Sequence, residues 1–344
     1  MAAYNVETSA AGVRPSTTLA CPICKSREIS AYAIVGEGSQ RNGVETYRVL
    51  RCRAHGVEFA DAVPVDSASD AARKGSLDRT YGTLDEGTKA RYADFMDRVE
   101  RVVGAAPGRL HDVGCGNGQL LYEARRRGWQ VQGNDLVGGV RSGLEQRGIA
   151  FYHGSLAQLS PSPESCDVVT SFCVLPHHLV EPDPEMQAAY AMLKPGGWLV
   201  LQLPDNGTLR LAGKALYALL AGFRPRTARW ILANLYGPGG HQYAFNPTNI
   251  TEYLEKIGFA EIIIEPYYPA VGPTLARFQS AGLSTRLAAS ASVRSLRLLS
   301  RISGLPNHMI AFAKKSRRNS PSSVLGKKTT AEADGNPACG RNHA

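Results

Sequence analysis

Long apolar runs are missing from this chain of 344 residues. No stretch reaches the roughly 18 consecutive apolar residues that a membrane-spanning helix requires, so we expect no transmembrane segment. The first 18 residues are polar and lack the basic-then-apolar layout of a secretory signal. Hydrophobic residues make up 43% and charged residues 20%, which is ordinary for a globular protein. These features predict a cytoplasmic protein.

An even, regularly spaced set of cysteines is also missing, which argues against a disulfide framework. Of the seven cysteines, Cys21 and Cys24 form a C-x2-C pair, and Cys52 forms a C-x2-H pair with His55. Two such pairs meeting face to face supply four tetrahedral ligands, so they predict a structural zinc site. Unrelated cysteines and an ordinary surface histidine are the alternative interpretation.

Acidic residues are too few to balance the basic ones, and the net charge is +9. Such an excess raises the question of a nucleic-acid partner. From Lys314 onward, however, seven basic residues stand against two acidic ones in a segment rich in Ser, Lys, Asn and Gly. We therefore predict a disordered basic tail over residues 315–344 and a nearly balanced body, for which nucleic acid is an unfavoured partner.

A glycine-rich turn stands at the centre of the chain. A short apolar strand ends in Asp112 and Val113, and glycines follow at positions 114, 116 and 118 before a helical pattern begins. Glycine permits positive φ and lets a ligand approach the main chain closely. A dinucleotide-binding turn has the different spacing G-x-G-x-x-G. A carboxylate at Asp112 would repel a pyrophosphate but suits a ligand with an ammonium and a sulfonium, which predicts S-adenosylmethionine.

Segments of strand length alternate with helical patterns along the chain. Strands are predicted at residues 109–113, 129–134, 149–152, 166–172, 198–203, 261–265 and 309–313. Strands separated by helices form a parallel sheet, and the last strand is expected to add an antiparallel partner. The predicted fold is therefore α/β and Rossmann-like, with a seven-stranded, mostly parallel sheet, helices on both faces and a small N-terminal zinc ribbon.

Residues that follow the predicted strands are candidates for ligand contacts, because ligands bind beyond the carboxyl ends of such strands. Asp135 follows the second strand, where an acid can accept both ribose hydroxyls, and helix capping is a compatible alternative role. Ser155 and Leu156 follow the third strand and are placed to flank an adenine. The loop after Phe172, the last residue of the fourth strand, should border the transferred methyl group.

These motifs, taken in order, resemble class I S-adenosylmethionine-dependent methyltransferases. The matching residues are Asp112-Val113-Gly114-Cys115-Gly116-Asn117-Gly118, Asp135, Asp167-Val168-Val169 and Leu193-Lys194-Pro195-Gly196-Gly197. The paired cysteine motifs are similar to the zinc ribbon of many bacterial members. The resemblance implies a cofactor site lined by Asp112, Gly114, Cys115, Gly116, Asn117, Gly118, Asn134, Asp135, Leu136, Ser155, Leu156 and Phe172. Family members often have an acid in place of Ser155, and Glu-His in place of Pro176-His177.

The predicted organisation has a disordered N-terminus at residues 1–18, a zinc ribbon at 19–65 and a methyltransferase domain at 77–314. An insertion at residues 207–240 is apolar at helical spacing, which predicts either a substrate lid or a helical hairpin packed on the sheet. A basic amphipathic helix is predicted at 283–302, with its arginines in solvent. A role at a membrane surface is the minority interpretation of this helix.

Methyl transfer is an in-line displacement in which the protein mainly aligns the reactants, and a base is needed only when the nucleophile holds a proton. His177 and His241 are the candidate bases, and the alternative is that both only order loops. The favoured acceptor is a small molecule, a glycan or a lipid-linked compound, preferably at oxygen. An RNA or protein methyltransferase that docks through the ribbon, and a non-catalytic scaffold, are the competing hypotheses. No Asn-Pro-Pro-Tyr-type motif typical of base methylation is present.

Overall fold

The computed structural model describes most of the predicted domain. The described residues are 13–15, 20–36, 46–60, 62–64, 86–104, 107–177, 182–204, 208–225, 228, 243–268, 290–291, 294–295, 298–299, 301–304 and 306–317. The predicted base His241 lies outside them, as do parts of the insertion, of the basic helix and of both chain ends. Within the described residues, no helix has the length and apolar character needed to cross a membrane.

Thirteen strands are described, in three sheets. They are β1 (Val13–Pro15), β2 (Ile29–Gly36), β3 (Thr46–Cys52), β4 (Glu58–Ala60), β5 (Ala62–Pro64), β6 (Arg109–Val113), β7 (Gln130–Asp135), β8 (Ala150–His153), β9 (Cys166–Phe172), β10 (Leu193–Pro204), β11 (Tyr243–Ala244), β12 (Glu261–Tyr267) and β13 (His308–Lys314). Strand β1 falls within the segment predicted to be disordered and pairs with β5.

The described helices flank the largest sheet. They are α1 (Glu86–Val103), α2 (Gln119–Arg126), α3 (Arg141–Glu145), α4 (Leu156–Leu159), α5 (Asp183–Met192), α6 (Thr208–Leu220) and α7 (Pro247–Ile257). Their ends follow local chemistry: Asn246 caps the start of α7 through a reciprocal pair of hydrogen bonds with Asn249, and Gly258 ends it at a φ of 117°. Helix α1 buries Tyr92, Phe95, Met96 and Val99, whose spacing places them on one face of a helix.

The seven-stranded sheet confirms the predicted fold class. Its order is β12-β13-β10-β9-β6-β7-β8. Strands β8, β7, β6, β9 and β10 are parallel, and β13 runs antiparallel to both β10 and β12, as the sequence predicted for the last strand. Strands β7 and β8 follow β6 toward one side of the sheet, whereas β10 follows β9 toward the other side. In doubly wound sheets, ligands bind in the crevice at the carboxyl ends of the two strands where the order changes direction in this way.

Strand β10 corrects one predicted boundary. A strand was predicted at residues 198–203, but β10 already begins at Leu193 and includes the Lys194-Pro195-Gly196-Gly197 sequence. The pairing with β9 shifts register between Leu193 and Trp198, so the glycines form an irregularity inside the strand. Backbone hydrogen bonds between these glycines and Lys315, which follows β13, hold the irregularity in place.

The ribbon forms a second sheet, in the order β11-β4-β3-β2. One of its strands, β11, follows the parallel strands of the main sheet in the sequence, and it pairs Tyr243 with Phe59 and Ala244 with Glu58. Buried side chains from both regions also share one core cluster, which includes Ile23, Val57, Phe59, Met186, Ile250 and Leu254. The ribbon therefore packs as part of the main domain's interior.

Candidate cofactor and metal sites

The glycine turn between β6 and α2 adopts the conformation predicted for it. Gly114, Gly116 and Gly118 have φ values of 70°, 50° and 74°, which side-chain-bearing residues rarely adopt. A Cβ atom at Gly114 would lie 2.5 Å from a methyl of Val174, and one at Gly118 would collide with Leu144. Glycine is thus required both by the backbone angle and by close packing.

Asp112 is a buried carboxyl group at the end of β6. Its side chain accepts a 2.7 Å hydrogen bond from Thr170 Oγ1, across the β6–β9 pair. Burial raises the pKa of Asp112 to about 7, and the hydrogen bond from Thr170 partly opposes that shift. Near neutral pH this group is therefore poised between a neutral and an anionic form, and a nearby cation would favour the anion.

Asp135 joins the glycine turn to the end of β7. One of its carboxylate oxygens accepts a 2.8 Å hydrogen bond from Gly116 N, and the other accepts one of 2.8 Å from Val137 N. The bond to Val137 matches the capping alternative, but each oxygen keeps a further lone pair for a ligand. The neighbouring Leu136 side chain is 55% exposed and offers an apolar surface beside the carboxylate.

Two other predicted contact residues, Asn134 and Cys115, help to hold the glycine turn in place. Asn134 is buried, and its side chain hydrogen-bonds His111 Nε2 and the carbonyl of Gly154, both at 2.8 Å. Its main-chain carbonyl accepts a hydrogen bond from Cys115 N. Burial also raises the pKa of the Cys115 thiol, which keeps it neutral. Both residues hold the turn in place with side chains directed into the protein.

The predicted adenine contacts lie at the start of α4. Ser155 caps that helix by accepting a hydrogen bond from Gln158 N, and the Leu156 side chain is fully buried. Sequence reasoning missed Glu185, whose buried carboxylate accepts hydrogen bonds from Leu156 N at 2.8 Å and Ala157 N at 3.0 Å. No local signal identifies Glu185, because its partners are 28 and 29 residues away in the sequence. The roles of Ser155 and Leu156 toward adenine stay predictions.

The end of β9 borders the other side of the crevice. The Phe172 ring packs against Tyr92 and Phe95 of α1, with ring centroids 5.2 and 5.1 Å apart. Cys173 follows with a φ of 60°, a strained value for a residue with a side chain. Its sulfur lies 3.9 Å from Nε2 of the exposed His177, on the single helical turn Leu175–His177. Strained backbone is often found at functional sites, which fits the predicted acceptor loop.

The four predicted metal ligands come together in one cluster. The ligand atoms of Cys21, Cys24, Cys52 and His55 all lie within 4.8 Å of one another. The sulfur of Cys21 is 3.5 Å from His55 Nε2, and the sulfurs of Cys24 and Cys52 are 3.6 Å apart. Tetrahedral zinc with bonds of about 2.3 Å to sulfur separates its sulfur ligands by about 3.8 Å, so the donor set fits zinc.

The two halves of this cluster have the same backbone geometry. Lys25 N donates to the carbonyl of Cys21, and Gly56 N donates to that of Cys52, at 2.8 and 2.9 Å. Lys25 and Gly56 both have positive φ, of 64° and 74°. Burial lowers the pKa of His55, which favours the neutral imidazole that binds metals.

Three contacts fasten the ribbon to the main domain near the acceptor loop. The buried Glu58 of β4 forms an ion pair with Lys214 of α6, at 2.7 Å. Lys256 of α7 donates a 2.7 Å hydrogen bond to the carbonyl of Ile23, between the first two cysteines. Strand β11, which pairs with β4, also contacts the turn that carries His177. The metal cluster thus lies in a structural unit that supports this turn.

Comparison with known proteins agrees with this architecture. A family profile described as a methyltransferase domain matches residues 85–263. The ubiquinone biosynthesis O-methyltransferase of Chromobacterium violaceum is 31% identical over 195 residues, which cover 54% of this chain and 76% of that protein. The trans-aconitate 2-methyltransferase of Methylobacterium nodulans is 35% identical over 155 residues, covering 41% of this chain and 57% of that protein.

Among solved structures, the phosphoethanolamine N-methyltransferase 2 of Haemonchus contortus, in complex with S-adenosylmethionine, aligns with a TM-score of 0.45 and 19% identity. That alignment covers 84% of this chain and 69% of the other. The family match spans more than half of the chain and includes the glycine turn, Asp112 and Asp135. The chain belongs to the methyltransferase domain family and is a class I S-adenosylmethionine-dependent methyltransferase.

Proposed function

We propose that this enzyme methylates a small-molecule acceptor at oxygen. The observation that carries the proposal is a glycine turn flanked by two carboxyl groups: Asp112, which accepts a hydrogen bond from Thr170, and Asp135, which accepts one from Gly116. Relatives over 30% identical are named as methyltransferases of ubiquinone biosynthesis and of trans-aconitate, both of them small molecules. The first is named an O-methyltransferase, which supports oxygen as the acceptor atom.

In this proposal, each side of the crevice has a different task. S-adenosylmethionine, when bound, supplies the methyl group on a cationic sulfur. Asp112 provides negative charge near the methionine end, and Asp135 accepts the ribose hydroxyls while the exposed Leu136 packs on the adenine. Phe172, held by two rings of α1, forms an apolar wall that excludes water. Alignment in a dry site is the main catalytic contribution, because the leaving group needs no further activation.

His177 is our candidate for a general base, with His241 as the second candidate. An acceptor hydroxyl holds a proton that must leave, whereas a carboxylate acceptor needs no base. His177 is exposed on the acceptor loop and contacts Cys173, so its ring can reach a bound acceptor. Replacing His177 with glutamine should lower kcat for a phenolic acceptor and leave a carboxylate acceptor unaffected. If the variant lost the same fraction of its kcat with both acceptors, His177 would only order the loop.

We further propose that the Cys21, Cys24, Cys52 and His55 cluster binds one structural zinc ion. All four positions are protein ligands, which leaves no open position for catalysis. The ribbon shares a core with the main domain, which favours a bracing role over docking of RNA or protein. A cytoplasmic location remains a prediction.

The acceptor can be identified with isotope-labelled S-adenosylmethionine and a panel of phenols, carboxylates, amines and an unstructured RNA. Label transferred to a phenol or a carboxylate supports the proposal. Transfer to RNA or to amines alone would overturn the assignment to small-molecule oxygen. The Asp135→Ala variant serves as the inactive control, and Glu145→Gln removes an equal charge at an exposed site whose carboxylate pairs with Arg141.

A further inference from the structure

Helix α6 has its apolar side facing out. Leu211, Leu216, Leu219 and the adjoining Phe223 are 57%, 44%, 66% and 65% exposed. The alanines at 212, 215 and 218 on the same side are exposed as well. The charged Lys214 instead points inward to the buried Glu58. Among the described side chains of α6, those exposed to solvent are therefore apolar and none of them is charged.

The helix follows the carboxyl end of β10. It begins four residues after Pro204, at the edge of the sheet that also carries the glycine turn and Asp135. The ion pair to Glu58 fixes α6 to the ribbon. Contiguous exposed apolar surface on a folded protein usually marks an interaction site. The exposed face is thus fixed in the folded structure, close to the proposed acceptor side.

A second helical segment has a similar surface. At residues 298, 299 and 302, two leucines and an isoleucine are 59%, 53% and 73% exposed. Arg294 and Arg301, on the same segment, are exposed beside them. Apolar residues flanked by arginines are the composition of helices that lie in a membrane interface.

The distribution of charge along the chain favours an anionic membrane as the partner of this apolar face. Residues 206–251, which contain α6, have five basic residues and no acidic one, and residues 266–313 have the same numbers. Apart from Lys214, which is paired with Glu58, these two segments carry nine basic residues and no acidic one. Basic residues near a membrane are attracted to anionic headgroups. A second copy of this chain would bring two such basic segments together, and like charges repel.

We propose that α6, together with the exposed helical residues Leu298, Leu299 and Ile302, docks this enzyme onto an anionic lipid bilayer. The leucines and Phe223 enter the interface between headgroups and acyl chains, and the arginines contact the headgroups. Neither helix crosses the bilayer. Docking would bring the edge of the sheet that carries the acceptor loop close to the lipid.

The test is flotation of the purified full chain with phosphatidylcholine vesicles, with and without phosphatidylglycerol. We expect the protein to float with the anionic vesicles and to be released by high salt. The Leu219→Ser/Phe223→Ser variant should lose at least tenfold in its partition to these vesicles. Tyr122→Ser, which removes an exposed aromatic ring on α2, should not change it. The basic tail is intact in every variant, so binding through the tail alone would leave the double variant equal to wild type.

Three outcomes would overturn the proposal. They are failure of the wild type to bind anionic vesicles, equal partition of the double variant and wild type, and conversion of a stable oligomer to monomer by the double variant. The last outcome would assign the apolar face to a second copy. Unchanged zinc content and S-adenosylmethionine affinity in the double variant show that the fold and the proposed cofactor site are retained. The docking result is therefore read independently of the proposed function.

Discussion

Asp112 gives the sharpest prediction, because its burial links cofactor affinity to pH. Its pKa is raised to about 7 by burial, and the anion is the form that attracts a cationic ligand. At about pH 8 most of the population is ionised, whereas at about pH 6 only about one molecule in ten is. The apparent affinity scales with the competent fraction, so S-adenosylmethionine should bind about tenfold more weakly at the lower pH.

The same pKa has a consequence of opposite sign for stability. The folded-state pKa of Asp112 lies above its ordinary value of 3.8, so the folded protein holds this proton more tightly than the unfolded chain. Stability from this group is therefore highest at low pH and falls as the pH rises through about 4 to 7, by about 4 kcal/mol in total. Asp112→Asn removes that penalty while its amide oxygen still accepts the hydrogen bond from Thr170. We expect a higher Tm at pH 8 together with weaker cofactor binding.

Calorimetric titration of both proteins across this pH range, with melting curves on the same samples, measures both effects. Asp135 also has its pKa raised by burial and contributes its own share of the pH dependence. The comparison with Asp112→Asn isolates the share that belongs to Asp112. If the variant and the wild type showed the same affinity and the same pH profile, Asp112 would have no electrostatic role at the site.

Three further predictions address the turn and the ribbon. Gly114→Ala should weaken cofactor binding about tenfold or more. A positive φ alone costs of order 1–3 kcal/mol, and a methyl group of Val174 would lie 2.5 Å from the new Cβ. The control is Gly143→Ala, whose new Cβ meets no atom within 4 Å and which should bind the cofactor normally. Glu58→Gln should lower the free energy of unfolding by about 3 kcal/mol, and adding Lys214→Met should recover part of it in denaturant titrations. Cys52→Ser should abolish stoichiometric zinc by metal analysis and lower Tm, whereas an unchanged Tm would show that the metal does not brace the fold.

The fold was predictable because its signals are local. Each parallel strand is followed along the chain by its own helical segment, and alternation of this kind leaves few possible topologies. The turn from Gly114 to Gly118 was predictable for the same reason, since its glycines are required by backbone angles within a few residues. The metal cluster was also predictable, because each pair of ligands has its own characteristic spacing and turn in the sequence.

Features that depend on distant partners were not predictable from the sequence. Strand β11 is only two residues long, and its partner β4 lies more than 180 residues earlier. No local sequence pattern indicates that Glu185 accepts a hydrogen bond from Leu156 N at the start of α4. None indicates that Glu58 forms an ion pair with Lys214. The start of β10 was missed because its Pro-Gly-Gly sequence is typical of a turn, whereas Leu193 already pairs with Cys166 of β9 and backbone hydrogen bonds join Gly196 and Gly197 to Lys315.

The cofactor site is tested by calorimetric titration with S-adenosylmethionine of the wild type, Asp135→Ala and Glu145→Gln, each with metal analysis. We predict micromolar binding by the wild type and by Glu145→Gln, loss of binding in Asp135→Ala, and about one zinc per chain in all three. Failure of the folded wild type to bind, or normal binding by Asp135→Ala, would contradict the cofactor site described above.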